Sequence, residues 1–425
     1  MRVKVTGTIT NPYAVAISSK SYVHRMLIGA ALSGKSCILK SNIISKDMKA
    51  TMECLNNLGA DIEITDEGFR VNSGVQKCGK VAIDCNESGS TLRFMIPLVS
   101  YLCSETTITG KGKLPERPNG ALTETLRSNG AVIDSDFLPM NISGNLMAGT
   151  YEIAGNISSQ YITGLLLTLP LLDGDSKIVL TSDLQSKPYV DITIEVLKLF
   201  GIKVNEKDYG YEIPGNQSYE APSVMEAEGD WSNGAYLLSM GAVCGSLRVS
   251  NLNGASIQGD REIVNIIKGF GLSVHSLSSE TEVKQEEWKS VDQDVMQIPD
   301  LLPAIAVLAL KGNKDSIFRN VSRLRIKESD RIESVSKIIS AFGGVAKSIK
   351  NGDEEDFIVS PVKSDENSEV EIDSYNDHRI VMAAVIAHLA TGRDVIINGF
   401  EAVDKSYPSF MQVCRDMGMT LEVLV

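Results

Sequence analysis

Two helical patterns of apolar residues alternate along the chain. In the first pattern nearly every position is apolar, as in residues 161–169 and 301–310. A helix that is apolar on all sides is buried on all sides. Six such segments begin near Ser21, Ser90, Ser159, Ser232, Leu301 and Arg379. The sequence therefore predicts six buried central helices.

The second pattern is amphipathic and ends in glycine, just before a short strand-like segment. The glycines stand at positions 59, 130, 201, 271, 343 and 418, at intervals of 71, 71, 70, 72 and 75 residues. Glycine just past a helix end readily adopts the left-handed conformation that other residues resist. Two independent series with one period indicate a supersecondary unit copied six times. In 425 residues this predicts two α/β domains of three units each.

Composition and charge exclude several classes of function. The longest apolar runs fall short of a membrane span, and the N-terminus lacks the apolar stretch of a signal peptide, so a cytoplasmic protein is predicted. Seven cysteines without a CxxC pair are interpreted as reduced, buried thiols. Four histidines in no ligand spacing argue against a structural or catalytic metal. The net charge of −13 argues against nucleic acid as a partner, although small anionic substrates remain compatible with it.

Residues 29–36 match the phosphate-binding pattern GxxxxGK[ST] letter for letter. That loop requires a strand before it and a helix after it. Here a helical pattern precedes Gly34, and residues 37–39 are typical of a following strand. The sequence therefore favours a helix C-cap at Gly34 over a nucleotide site.

Polar and cationic segments open the first three buried helices, at residues 18–25, 87–93 and 158–160. Helix N-termini attract anions, although any one of these segments alone would be an ordinary cap. Because the three occupy equivalent positions in the repeat, they are predicted to lie together as an anion site.

The second half of the chain adds two charged segments. In residues 323–331, the spacing places Lys327 and Arg331 on one helical face with Glu328 beside them, although a solvated, ion-paired surface helix is the ordinary interpretation of such a run. At residues 375–379, His378 and Arg379 open a wholly apolar helix, where they have no packing role. Lys405 follows in a further polar segment.

Together these segments resemble the 5-enolpyruvylshikimate-3-phosphate synthase family of enolpyruvyl transferases, in order and over essentially the whole chain. The motifs that carry the resemblance are Ser19-Lys20-Ser21 with Arg25, Gly89-Ser90 with Arg93, Glu116-Arg117-Pro118, Ser158-Ser159-Gln160, Ser186-Lys187-Pro188-Tyr189, Pro299-Asp300, Lys327-Glu328-Ser329-Asp330-Arg331 and Asn376-Asp377-His378-Arg379. The resemblance implies an inside-out α/β barrel of two pseudo-threefold domains. Residues 18–227 would form the inserted domain and mainly bind shikimate 3-phosphate. Residues 1–17 and 228–425 would form the other, with the active site in the cleft between them.

The resemblance also implies the reaction and the residues that serve it. The family transfers the enolpyruvyl group of phosphoenolpyruvate to the 5-hydroxyl of shikimate 3-phosphate by addition and elimination. Asp300 would accept the hydroxyl proton, Glu328 would protonate C3, and Lys20 would assist. Shikimate 3-phosphate would bind Lys20, Ser21, Arg25, Ser158, Ser159, Gln160, Ser186, Tyr189, Asp300, Arg323 and Lys327. Phosphoenolpyruvate would bind Lys20, Gly89, Arg93, Arg117, Gln160, Arg331, His378, Arg379 and Lys405. Neither a metal nor another cofactor is expected, and a monomer is predicted.

Two residues depart from the family pattern, and two alternatives stay open. Arg323 and Glu87 both stand where Asn is usual, and Glu87 is expected to pair with a cation. Gly89 predicts sensitivity to the compact inhibitor glyphosate. The first alternative is the enolpyruvyl transferase acting on UDP-N-acetylglucosamine, but its characteristic Cys is replaced here by Gly112. The second is a catalytically dead binding module, which would have no need for both carboxylates.

Overall fold

A computed structural model describes residues 1–352, 354–362 and 368–424. Its helices are α1 Lys20–Ser33, α2 Lys46–Asn57, α3 Gly89–Leu102, α4 Gly120–Ser128, α5 Ser159–Thr168, α6 Lys187–Leu199, α7 Trp231–Cys244, α8 Ile263–Gly269, α9 Leu302–Leu308, α10 Arg331–Ala341, α11 His378–Thr391 and α12 Phe410–Asp416. Its strands are β1 Arg2–Thr6, β2 Tyr13–Val15, β3 Cys37–Lys40, β4 Asp61–Thr65, β5 Gly68–Ser73, β6 Cys78–Asp84, β7 Cys103–Thr109, β8 Ala131–Ile133, β9 Met140–Gly144, β10 Thr150–Ile153, β11 Ser176–Leu180, β12 Asn205–Lys207, β13 Gly210–Ile213, β14 Val224–Glu226, β15 Ser246–Ser250, β16 Ser273–Ser276, β17 Glu280–Lys284, β18 Asp292–Asp294, β19 Ser316–Arg319, β20 Val345–Asn351, β21 Glu354–Ser360, β22 Val370–Asp373, β23 Val395–Asn398 and β24 Thr420–Leu424.

The strands form six four-stranded sheets with one common topology. In the sheet β6-β7-β9-β8, β6 pairs in parallel with β7, and the two remaining pairings are antiparallel. A buried helix connects the parallel strands, and an amphipathic helix precedes the final hairpin, giving the repeat βαβαββ. The sequence prediction of six copies of one unit is therefore confirmed.

Contacts along the chain define two compact units. The inserted unit comprises Ser18–Ala227, and the discontinuous unit comprises Met1–Ile17 with Glu228–Val425. In the inserted unit, β14 completes the sheet of β3, β5 and β4. In the discontinuous unit, β1 lies between β23 and β24, so the first residues of the chain occupy a central strand. Each unit therefore draws strands from both ends of its own sequence.

The buried helices begin where the sequence predicted. In α11, for example, residues 380–387 are all fully buried. The predicted glycines follow α2, α4, α6, α8, α10 and α12, and all six have φ between 77° and 99°. Within the described ranges, no helix combines the length and apolar character required to cross a bilayer.

Two local predictions have clear outcomes. Gly34 follows α1 with φ 66° and precedes β3, so the phosphate-loop pattern is a helix C-cap, as expected. The expectation of seven reduced thiols is wrong for two of them, because Cys78 and Cys103 form a disulfide. They are register partners on the neighbouring parallel strands β6 and β7, a proximity that the sequence spacing does not reveal.

Candidate functional site

The inserted unit carries a cluster of polar side chains around the N-termini of its buried helices. Both α1 and α3 contact α5, so the three helices share a core. Ser88 caps α3 by accepting a hydrogen bond from the Thr91 amide (3.2 Å), and Ser158 caps α5 by accepting one from the Gln160 amide (3.3 Å). We call the following residues the inserted-unit cluster: Lys20, Ser21, Arg25, Gly89, Arg93, Arg117, Ser158, Ser159, Gln160, Ser186 and Tyr189.

Arg25 is the deepest cation of this cluster. Its guanidinium donates to the Thr193 hydroxyl (2.8 Å) and to the carbonyl oxygens of Ser21 (2.7 Å) and Tyr189 (3.0 Å). Burial lowers the pKa of Arg25 to about 10, because removal from water disfavours its charged form. A cation held in this way is fixed in position before any anion arrives.

A second group of contacts surrounds Gly89. Arg93 donates to the side-chain oxygen of Gln160 (2.7 Å), and Gln160 donates in turn to the Ser90 hydroxyl (2.9 Å). A Cβ atom at Gly89 would lie 2.7 Å from Arg93 Nη1 and 2.8 Å from Arg117 Nη1. The missing side chain therefore allows two guanidinium groups to approach the first turn of α3, where the helix dipole also favours an anion.

Lys20 and Ser186 lie at the starts of α1 and α6. Lys20 Nζ pairs with Asp47 Oδ2 at 2.9 Å, so its ammonium group is held at a defined place. Ser186 has φ 57°, an uncommon left-handed conformation for a residue other than glycine, and its carbonyl accepts from the Tyr189 amide. Such strain is concentrated at functional sites.

The discontinuous unit contains a second cluster, built on three mutually contacting helices, α7, α9 and α11. Its centre is Asp300, on a 3-10 turn that leads into α9. Arg331 donates to Asp300 Oδ1 (2.7 Å) and Arg379 donates to Oδ2 (3.1 Å). We call the following residues the discontinuous-unit cluster: Asp300, Arg323, Lys327, Glu328, Arg331, His378, Arg379 and Lys405.

Arg331 links three carboxylates. Besides Asp300, it donates to Glu328 Oε2 (2.6 Å) and to Asp377 Oδ2 (2.9 Å), and only 1% of its side chain is exposed. Burial opposes the charge on Asp300, but Arg379, Lys327 and Arg331 outweigh that effect and hold the pKa of Asp300 well below its usual range. Asp300 is therefore ionised at neutral pH.

Lys327 is a cation with an unusual titration. Burial lowers the pKa of Lys327 to about 8, although Asp300, with Oδ1 3.9 Å away, opposes the shift. The prediction that Lys327 and Arg331 share one helical face is wrong. Asp330 is the N-cap of α10, accepting from the Glu333 amide, so Lys327 precedes the helix and only Arg331 belongs to it. The two cations nevertheless meet at Asp300.

The remaining members of this cluster lie around the start of α11. Asp377 caps α11 by accepting from the Arg379 amide (2.9 Å), and His378 is buried beside it. Lys405 Nζ donates to the Asn376 carbonyl at 2.7 Å. Burial lowers the pKa of Arg323, and the charge on Asp300 opposes this shift. Within the part of the chain that the structure describes, no group of three or more His, Cys, Asp or Glu side chains is placed to hold a metal ion.

The sequence alone does not reveal the partners that hold these side chains. Asp47 lies in the first turn of the amphipathic helix α2, and Thr193 lies in the middle of α6. Ser232 accepts from Arg379 at 2.7 Å. Nothing in the local sequence distinguishes these residues from surface or cap residues, because only the tertiary fold brings them to their cations. Asp377 belongs to the motif Asn376-Asp377-His378-Arg379, but that motif does not predict that Asp377 is fully buried and holds Arg331.

A sequence model of the family described as EPSP synthase (3-phosphoshikimate 1-carboxyvinyltransferase) matches residues 4–414. The chain belongs to the EPSP synthase family. Among its relatives, the 3-phosphoshikimate 1-carboxyvinyltransferase of Clostridium kluyveri is 39% identical over 405 residues, covering 94% of this chain and 93% of the relative. The corresponding protein of Clostridium novyi is 37% identical, with the same coverage of each chain. The predicted family and enzyme class are therefore confirmed.

Solved structures agree with the EPSP synthase assignment at the level of fold. The EPSP synthase from Acinetobacter baumannii superposes with a TM-score of 0.78 at 20% identity, covering 99% of this chain and all of the other. The enolpyruvyl transferase NikO from Streptomyces tendae gives 0.75 at 13% identity, covering 99% and 98% of the two chains. These structures confirm the predicted fold class. The family assignment itself rests on the sequence relatives and the family model.

Proposed function

We propose that the two clusters together carry out the reaction of the family, transfer of the enolpyruvyl group of phosphoenolpyruvate to the 5-hydroxyl of shikimate 3-phosphate. The observation that carries this proposal is the ionised Asp300 held between Arg331 and Arg379, with Glu328 on the same arginine. The reaction needs one group that accepts the hydroxyl proton and another that donates a proton to carbon.

Each step of the reaction has a candidate group. Asp300 accepts the proton of the attacking hydroxyl as its oxygen bonds to C2 of phosphoenolpyruvate. Glu328 delivers a proton to C3, which produces a tetrahedral adduct. Elimination then removes a proton from the same carbon and expels phosphate. Lys20, which Asp47 holds in place, assists proton transfer and stabilises negative charge.

The cations are allocated between the two anionic substrates. Shikimate 3-phosphate is assigned to Lys20, Ser21, Arg25, Ser158, Ser159, Gln160, Ser186, Tyr189, Asp300, Arg323 and Lys327. Phosphoenolpyruvate is assigned to Lys20, Gly89, Arg93, Arg117, Gln160, Arg331, His378, Arg379 and Lys405. Arginine suits carboxylate and phosphate because its planar fork donates two parallel hydrogen bonds. The approach of Arg93 and Arg117 to Gly89 supports this allocation.

The alternative acceptor, UDP-N-acetylglucosamine, is less well supported. Gly112 replaces the characteristic Cys of that enzyme and has φ 57°, and a Cβ atom there would lie 2.5 Å from Glu87 Oε2. A cysteine at this place would therefore require Glu87 to move and would strain the backbone. The pairing of Glu87 with a neighbouring cation stays a prediction.

The test mixes purified protein with phosphoenolpyruvate and either acceptor, and follows phosphate release together with product mass. Release only with shikimate 3-phosphate, with the enolpyruvyl gain in mass, supports the proposal. Release only with UDP-N-acetylglucosamine would show that the acceptor is wrong, and no release with either would overturn the proposal. The proposal also includes that the protein is a monomer. Light scattering after size exclusion tests it.

A further inference from the structure

A buried carboxylate in the discontinuous unit has no role in the mechanism proposed above. Asp260 lies on a 3-10 turn, Gly259–Glu262, and only 3% of its surface is exposed. The turn is tied to the start of α7 by Gln258, which accepts from the Trp231 amide (3.1 Å) and donates to the Gly229 carbonyl (2.7 Å). This loop therefore holds Asp260 rigidly against the first turn of α7.

The contacts of Asp260 lead to Arg379. The Ser232 hydroxyl hydrogen-bonds to the Asp260 carboxylate. Arg379 Nη2 donates to the same hydroxyl oxygen at 2.7 Å and to Asp300 Oδ2 at 3.1 Å. Since a hydroxyl has one proton to donate, Ser232 gives it to Asp260 and presents its lone pairs to Arg379. The three side chains therefore form a directed relay from α11 to the 3-10 turn.

We infer that Asp260 is a positioning residue, which acts through Ser232 to orient the guanidinium group of Arg379 for the carboxylate of phosphoenolpyruvate. The inference rests on the proposed function, in which Arg379 binds that substrate. With Ser232 fixed as an acceptor, one edge of Arg379 is directed toward α7. The orientation of its remaining N–H groups is then set before the substrate arrives, which is the condition for efficient capture.

The ionisation of Asp260 supports a functional reason for its burial. Burial first, and then the charge of Asp300, raise the pKa of Asp260 to about 6, while Arg379 and Ser232 oppose this rise and Asp230 adds to it. A carboxylate charged at neutral pH against such a shift reduces stability. Residues kept at a cost to stability are concentrated in functional sites.

The test compares Asp260→Ala, Asp260→Asn and Ser232→Ala in steady-state assays with both substrates. We expect Asp260→Ala and Ser232→Ala each to raise the KM for phosphoenolpyruvate by about ten- to a hundredfold, as a displaced binding group does. The KM for shikimate 3-phosphate should stay within about twofold of the wild-type value. Asp260→Asn keeps an oxygen that accepts from Ser232, so it should recover most of the loss.

A double variant and a matched control make the test specific. Because both residues act along one path, Asp260→Ala with Ser232→Ala should cost no more than either change alone. Glu262→Gln removes a carboxylate of the same turn, whose oxygen accepts from Asn265 at the surface, and should leave both KM values unchanged. An unchanged KM for phosphoenolpyruvate in Ser232→Ala, or multiplicative effects in the double variant, would overturn the inference.

Two measurements separate this inference from the proposed function. Turnover by the wild-type protein with unaltered kinetics in the variants would overturn the inference and leave the function standing. If the wild-type protein shows no turnover, calorimetric titration of phosphoenolpyruvate in the presence of shikimate 3-phosphate still tests the relay. Weaker binding in Ser232→Ala and Asp260→Ala, recovered in Asp260→Asn, supports it. Equal binding in all variants overturns it.

Discussion

At the scale of single residues, the two clusters differ in how they hold their charges. Arg25 in the inserted unit is buried among hydroxyl and carbonyl oxygens, with Thr193 and Tyr189 as neutral partners. Arg331 in the discontinuous unit is surrounded by carboxylates instead. A cation with neutral partners retains a strong field for an anionic ligand, whereas one paired with carboxylates also sets the ionisation of those groups. The first arrangement suits binding and the second suits proton transfer.

The carboxylates provide the most direct test of catalysis. Asp300→Asn and Glu328→Gln each keep the shape and remove the titratable carboxyl group, and we expect turnover to fall by roughly 10² to 10⁴ as general acid or base action is lost. Circular dichroism should show that both variants are folded. Near-normal turnover in either one would remove that residue from the mechanism.

The lowered pKa of Lys327 implies that binding of shikimate 3-phosphate weakens at alkaline pH. Its pKa of about 8 means that the ammonium group loses its proton as the pH rises through 8, well before an ordinary lysine would. The kcat/KM for shikimate 3-phosphate should therefore decline above that pH. Lys327→Arg keeps its charge because guanidinium does not titrate in this range, so its decline should move to higher pH. Identical pH profiles for the two proteins would contradict the assignment.

The same shift has a consequence for stability, with a defined sign. The folded state releases the Lys327 proton near pH 8, whereas the unfolded chain retains it to about 10.5. Charged Lys327 therefore lowers the free energy of unfolding below pH 8. This loss of stability becomes smaller as the pH rises from 8 to 10.5. Binding of an anion reverses the effect by stabilising the charged form.

Gly89 predicts how the phosphoenolpyruvate site responds to one methyl group. In Gly89→Ala, the new Cβ atom meets the tips of Arg93 and Arg117 below 3 Å, so both must move. We expect the KM for phosphoenolpyruvate to rise roughly tenfold, as a displaced binding group weakens capture. Inhibition by glyphosate, which the sequence predicts for the wild-type protein, should weaken in parallel. Unchanged values for both would contradict the placement of these arginines.

At the scale of elements, the periodic features were predictable from the sequence and the connections between elements were not. Glycine at a fixed place and unbroken apolar helices are local signals, and α1, α3 and α5 begin within one residue of their predicted starts. The segment before α10 shows the opposite case. Asp330 is the N-cap of α10, so the helix begins after Lys327 and the helical spacing of Lys327 and Arg331 does not apply. Both side chains nevertheless lie beside Asp300.

The close packing of α3 against α5 gives a prediction for these elements. A Cβ atom at Gly164 on α5 would lie 2.4 Å from the Arg93 carbonyl oxygen and 3.1 Å from Pro97 Cγ. Gly164→Ala should therefore destabilise the inserted unit by about 1–3 kcal/mol through overpacking. The expected fall in melting temperature is about 2–10 °C. Gly79→Ala is the control, since no heavy atom lies within 4 Å of its added Cβ, and an equal fall there would contradict the packing argument.

At the scale of the whole molecule, the chain divides into two compact units, and each has its own set of sheets. The apolar core of the inserted unit is drawn from residues between Tyr22 and Ala227 alone. Its sheets are also complete, because β14 returns to pair with β3. Residues 228–425 lack that completeness. They need β1 between β23 and β24 and β2 beside β15, and both strands come from the first 15 residues.

This asymmetry predicts how fragments of the chain will fold. Residues 18–227 expressed alone should unfold cooperatively in denaturant, whereas residues 228–425 alone should not, because a missing central strand leaves two neighbours unpaired. Joining residues 1–17 after 425 through a short linker should restore folding. Arg2 pairs with Leu424 in an antiparallel register, so the end of β24 lies beside the start of β1 and a tight turn can connect them. Cooperative unfolding of residues 228–425 without β1 would contradict this argument, since the apolar core of that unit would then be sufficient without its central strand.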